Sequence, residues 1–146
     1  MFYLVLVVHL LGAAVWTGGH IVLATTVLPR ALKARDPGIL LRFEQGYERV
    51  GMPALLAQVV SGLWLAYAFV PDVGDWVRFS DPASTGIGVK LVLLAITAGF
   101  AVNARFRVIP TLSPDTLPLM GWHIRAVTTL SVLFVLTGAF LRTGGF

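Results

Sequence analysis

Apolar residues fill this chain in four long runs separated by short polar stretches. The first run, Phe2 to Leu28, holds no formally charged residue and stops at Pro29-Arg30. The second runs from Val50 to Val70, bounded by Arg49 and Pro71-Asp72. The third runs from Thr85 to Ala104, with Lys90 near its start and Arg105 at its end. The fourth runs from Leu117 to Leu141, with His123 and Arg125 in its first turns and Arg142 after it. About 20 apolar residues are needed to cross the hydrocarbon core. The pattern therefore predicts an all-α, integral membrane four-helix bundle forming a single domain over residues 1–146, with spans at 2–28, 50–70, 85–104 and 117–141. The first run is long enough to tilt. Pro118 suits an early helix position, where its missing N–H costs little.

The polar connections carry the topology. Arg30, Lys33, Arg35, Arg42 and Arg49 lie in the first and Arg105 and Arg107 at the third, whereas the second sets Asp72, Asp75 and Asp81 against Arg78. The positive-inside rule then places connections one and three in the cytoplasm and both termini outside. Within connection one, Gly38 to Arg49 reads as a short interfacial helix: Leu40, Leu41, Phe43 and Tyr47 alternate imperfectly with Arg42, Glu44, Glu48 and Arg49. Trp76 and Phe79 are expected at the outer headgroup level, and Tyr67 in the outer aromatic belt.

Composition narrows the class further. The chain is 57% apolar and 12% charged, with a mean hydropathy of +0.84, against about 25% charged in an ordinary globular protein. A soluble bundle needs a polar shell that this sequence lacks. The net charge of +4 reads as topology signal, because no basic stripe with interleaved aromatics offers itself to nucleic acid. With Cys 0, disulfides, Cys-ligated zinc and iron–sulfur clusters are excluded. The first run lacks a basic n-region and is too long for the core of a cleaved signal peptide.

Three histidines inside the spans are the candidate chemistry. His9 and His20 are eleven residues apart, which returns to within about 20° of the same helix face, with a rise between them of about 16 Å. They cannot be two axial ligands of one haem. Trp16 shares the stripe, with Gly12 and Gly19 near it. By depth, His20 pairs with His123 toward the inner side, where helix tilt would bring them to opposite faces of one planar cofactor, and Arg105 and Arg125 would meet its propionates. Toward the outer side, His9 faces Lys90. The metal candidates are thus His9, His20 and His123, the cofactor haem b, and the rival metal copper, for which Met52 and Met120 add soft thioethers. Each residue also has a passive reading: histidines bonding across helices, His123 beside Trp122 at the interface, Arg125 and Lys90 snorkelling to headgroups, and Trp16 as packing. Gln58, Ser61, Asn103 and Thr128 read as interhelical glue.

These residues resemble the CopD (copper resistance D) superfamily of membrane proteins and, beside it, the HemJ-type protoporphyrinogen oxidases. The resemblance rests on His9-Leu-Leu-Gly-Ala-Ala-Val-Trp16-Thr-Gly18-Gly19, Leu28-Pro29-Arg30, Lys90-Leu-Val-Leu-Leu, Asn103-Ala-Arg105, and Arg125 followed by an apolar helix ending in Thr137-Gly138. It implies a functional pair of His9 and Lys90, associated with haem in the HemJ-like branch and with copper movement in the other. His20 stands where both branches carry an apolar residue, which implies an additional or displaced haem site. The expected function is a haem-b-binding inner-membrane protein for electron transfer or oxidation of a lipophilic porphyrinogen or quinone. The alternatives are copper binding or transport and a non-catalytic partner subunit. The expected setting is a bacterial inner membrane, with a homo-oligomer formed through Gly12, Gly18 and Gly19.

Overall fold

The computed structural model describes residues 1–143 and contains four helices long and apolar enough to cross a membrane: α1 (Phe2–Ala34), α2 (Pro37–Phe69), α3 (Pro82–Thr111) and α4 (Leu117–Thr143). All four expected spans are present, and each is longer than its apolar run because polar residues beside it stay helical.

Pro29 does not end α1. The helix widens into a π turn at Leu23–Val27, where the Leu28 N–H bonds the Leu23 carbonyl, and then continues from Leu28 to Ala34. Proline lacks an N–H and its ring crowds the carbonyl four residues back; a wider turn relieves that conflict. The same device recurs in α3, with a π turn at Ala104–Val108 just ahead of Pro110. Arg35, in the left-handed region at φ 51, ends α1, and the Arg35 and Asp36 N–H groups bond the Leu32 and Ala31 carbonyls. Such a closure satisfies carbonyls that the helix end would leave bare.

The turn leaves no room for a separate interfacial helix. Asp36 accepts from the Gly38 N–H at 2.8 Å and starts α2 with Pro37 in its first turn, and the helix runs unbroken through Gly46, Gly51 and Pro53 to Phe69. The expected Gly38–Arg49 element is thus the first third of span two. Connection one shrinks to Arg35 and Asp36, and Arg35 reaches across to Asp115 at 2.6 Å, an exposed pair worth at most about 1 kcal/mol.

The helices pack α2 on α1, α1 on α4 and α4 on α3, while α2 and α3 have little direct contact. Two apolar clusters hold the ends together. Beside the basic turns, Leu28, Ala31, Leu40, Val108, Leu117, Met120 and Ile124 join all four helices. At the other end, Trp76 is buried between Ala66 and Ile87, and its indole N–H donates to the Val70 carbonyl at 2.8 Å. Trp76 is therefore a plug under the α2–α3 connection rather than an interface marker; Phe79 is the exposed one. Between these clusters, small polar residues are buried beside Leu93 and Leu130: Thr17, Ser61, Thr97, Ser131 and Thr137. Gly12 lets α1 and α2 meet closely, since a Cβ there would lie 2.8 Å from the Ala54 carbonyl oxygen. Gly19 closes on the Tyr47 ring of α2, so two of the three glycines expected between copies are used inside the chain, and only Gly18 faces open space.

Asp81 caps α3. Its carboxylate accepts from the Ala83 and Ser84 N–H groups at 2.9 and 3.1 Å, and the Ser84 hydroxyl accepts from the Asp81 N–H at 3.1 Å. The bond from the Ser84 N–H, and after it the Ser84 side chain, hold the Asp81 carboxyl below its ordinary range. A lowered carboxyl stabilises the fold fully above the ordinary range and stops doing so as pH falls through its native value. Asp81→Ala is expected to lower the melting temperature at neutral pH, with the gap from wild type closing on acidification; a pH-independent gap would contradict this.

Candidate functional site

Polar groups of α2 and α3 gather around His9 of α1. The His9 ring lies against Gly62 of α2, where a Cβ would come within 2.9 Å of its Cε1. Its Nδ1 lies 2.9 Å from the Gln58 carbonyl and 3.1 Å from the Ser61 hydroxyl. The Ser61 proton is committed to the Ala57 carbonyl at 2.5 Å. Ser61 therefore accepts from His9, as does the Gln58 carbonyl, and Nδ1 must carry the ring proton. Nε2 is left as a free lone pair. The Gln58 Oε1 is buried and has no hydrogen-bond partner among the described residues. Lys90 of α3 is close enough for its charge to act on His9, and its Nζ would stand 3.4 Å from a Cβ on Gly138 of α4. Among the described residues, Lys90 has no ion pair.

His20 lies further along the same α1–α2 seam, as the eleven-residue spacing predicts. Its Nδ1 is 2.9 Å from the Trp16 carbonyl of its own helix, its ring sits 4.4 Å from the Trp16 ring and 6.3 Å from the Tyr47 ring, and Thr128 of α4 donates to its carbonyl at 3.1 Å. Tyr47 completes this cluster by donating to the Val15 carbonyl at 2.9 Å.

His123 belongs to a different seam. Its Nδ1 is 3.0 Å from the Leu119 carbonyl, its Nε2 is 3.0 Å from the Asn103 side chain of α3, and its ring stands edge-on to Phe100 at 5.5 Å. His20 contacts α2 and His123 contacts α3, so the structure does not bring this pair together. Lys90 is within electrostatic reach of His9. Arg105 and Arg125 are both exposed; Arg105 is within electrostatic reach of Glu44, and Arg125 lies beside Trp122 and Phe100. Of the thioethers, Met120 is packed in the apolar cluster and Met52 is exposed. Among the described residues no group of three His, Cys, Asp or Glu side chains is placed to hold a metal ion.

Ser61, Asn103 and Thr128 bond across helices, as expected of interhelical glue. Gln58 does more, because its carbonyl orients His9 while its amide oxygen stays open. Tyr47 escaped notice because its neighbours made 38–49 look interfacial. The available signal was Gly51 one turn on, since residues four apart share a helix face and the Tyr47 ring packs over Gly51 as well as Gly19.

The chain matches the family model described as CopD, copper resistance protein D, over residues 41–141, and it belongs to that family. The matched stretch includes Gln58, Ser61, Lys90, Asn103 and His123 and leaves all of α1, with His9 and His20, outside. No match is found among curated proteins or among solved structures. The chain is a multi-spanning membrane protein, consistent with a bacterial inner-membrane member of that family.

The close fit at Gly62 can be measured. Gly62→Ala is expected to lower the unfolding free energy by about 1–3 kcal/mol, the usual cost of overpacking. Gly18→Ala, whose Cβ would meet nothing within 4 Å, should be neutral or stabilising by up to about 1 kcal/mol. Reversible unfolding in mixed micelles distinguishes the two, and equal effects would refute the packing described.

Proposed function

We propose that this protein handles copper within the membrane, and that His9 is its contact with the ion inside the bundle. The observation that supports this is the His9 ring itself: Nδ1 is tied to the Gln58 carbonyl and Ser61, so the ring is oriented and its Nε2 offers a lone pair in the bundle interior. An imidazole nitrogen is a good ligand for copper. Family membership supports the same reading. Lys90 opposes a resident cation, and the absence of a three-ligand cluster among the described residues suits a passing ion better than a stored one, since conduction needs binding weak enough to release. The proposal keeps both termini on the extracytoplasmic side, on the charge asymmetry of the connections.

A second reading, a haem b bundle acting in electron transfer or on a porphyrinogen or quinone, is favoured by one observation: the His20 Nε2 is uncommitted beside the Trp16 and Tyr47 rings. His123 holds Asn103 in this conformation and would have to exchange it to act as a second axial ligand. Arg105 and Arg125 would then pair with propionates.

Competition with a Cu(I) chelator on reduced, detergent-purified protein separates these readings. Wild type is expected to bind weakly and His9→Ala to lose at least about tenfold. Lys90→Met should gain about tenfold, the factor that 1.4 kcal/mol of relieved repulsion represents. Copper affinity unchanged in both variants would overturn the copper reading. A Soret band abolished by His20→Ala would establish the haem one.

A further inference from the structure

A groove on the membrane-facing side of α3 and α4 lies apart from the His9 cluster. It has a volume of about 400 Å³ and is lined by Phe100, Trp122, Arg125, Ala126, Thr129 and Leu130. Its floor is apolar, and its single charged group is Arg125. The helix α4 spans 27 residues, about 40 Å at 1.5 Å per residue, against a hydrocarbon core of about 30 Å. Arg125 stands eight residues beyond Leu117, about 12 Å along that axis. A guanidinium at the margin of the hydrocarbon needs a partner or a way back to the headgroups.

The structure supplies the way back. Helical side chains lean toward the helix N-terminus, and Arg125 leans over Gly121, one turn back, where its Nη1 lies 3.9 Å from the position of a Cβ. Trp122 flanks the guanidinium, its ring 5.7 Å from that of Phe100. Neither the guanidinium nor the Trp122 indole N–H has a hydrogen-bond partner among the described residues, and the ion pairs there involve only Arg35, Arg42 and Arg78. The Thr129 hydroxyl is spent on the Arg125 carbonyl at 2.9 Å. The groove thus offers a cation and an N–H donor at its headgroup end, with an apolar trough running deeper and no carboxylate in its lining.

We propose that this groove binds one anionic phospholipid, its phosphate on Arg125 and the Trp122 N–H and one acyl chain along Phe100, Ala126 and Leu130. The charge selects the headgroup and the trough selects a lipid over a free anion. Arg125 then acts as a lipid anchor rather than a propionate partner, and the site operates independently of copper at His9.

Native mass spectrometry of the full chain, released from nanodiscs of phosphatidylglycerol or phosphatidylcholine, tests this. Wild type is expected to retain one phosphatidylglycerol with about fivefold preference, the factor that about 1 kcal/mol per surface cation represents. Arg125→Gln should lose the preference, whereas Arg142→Gln, at the far end of α4, should keep it. Ala126→Trp fills the trough while leaving the charge, and should lose the bound lipid; it decides the matter if Arg125→Gln fails to fold. Equal retention of the two lipids by wild type would overturn the proposal, as would an undiminished preference in the folded variants. Displacement of the lipid by excess inorganic phosphate would overturn it too, because the site would then be reading the anion alone.

Discussion

Inside a bilayer there is no water to satisfy a polar side chain, so the helix backbone becomes its first partner. Nearly every polar group in these four spans obeys that constraint. Thr97 and Thr137 return their hydroxyl protons to carbonyls one turn back, and Ser61 does the same. The histidines follow the same logic at Nδ1, which meets the carbonyl of Gln58, Trp16 or Leu119. What distinguishes the three rings is the remaining nitrogen. His123 spends it on Asn103, while His9 and His20 do not. An arrangement made to satisfy polar groups in hydrocarbon thereby leaves two oriented imidazole lone pairs in the α1–α2 seam, one of them within reach of a lysine charge.

The helices tolerate prolines for a related reason. Pro29 and Pro110 each follow a π turn, which moves the displaced carbonyl to a partner five residues on and keeps the chain helical beyond the apolar run. The basic residues of the first and third connections therefore sit on helix ends. Short turns result, and these let one apolar cluster, built around Leu28 and Leu117, draw all four helices together at that end. Trp76 does the corresponding work at the other. The middle, held by neither, is where small and polar residues gather.

The spans were legible because length and apolarity are demanded residue by residue. The shared face of His9 and His20 was legible because the helical period fixes it. The boundaries were less so: Pro29, Gly46, Gly51 and Pro53 are breakers in water, but a helix in hydrocarbon loses more by unwinding than by accommodating them. The His20–His123 pairing rested on depth alone, and depth leaves open which neighbour a side chain faces. Packing decided that, sending His20 toward Tyr47 and His123 toward Asn103. Gln58 and Tyr47 were hard to see for the same reason, since their importance comes from Gly12, Gly19 and Gly51, small residues whose partners a linear reading leaves unassigned.

The copper reading proposed above turns on one atom, the His9 Nε2, on the helix that the family match leaves outside. Copper binding there requires that nitrogen to be a lone pair, and the bonds from Nδ1 to Gln58 and Ser61 leave it one. Two-bond ¹H–¹⁵N correlation of ¹⁵N-histidine-labelled protein in micelles, with His9 assigned by its alanine variant, reads the tautomer. A protonated Nδ1 and bare Nε2 at His9, above the titration range, is the expected result. A proton on Nε2 would contradict the account, because the ring would then have no lone pair to offer the interior.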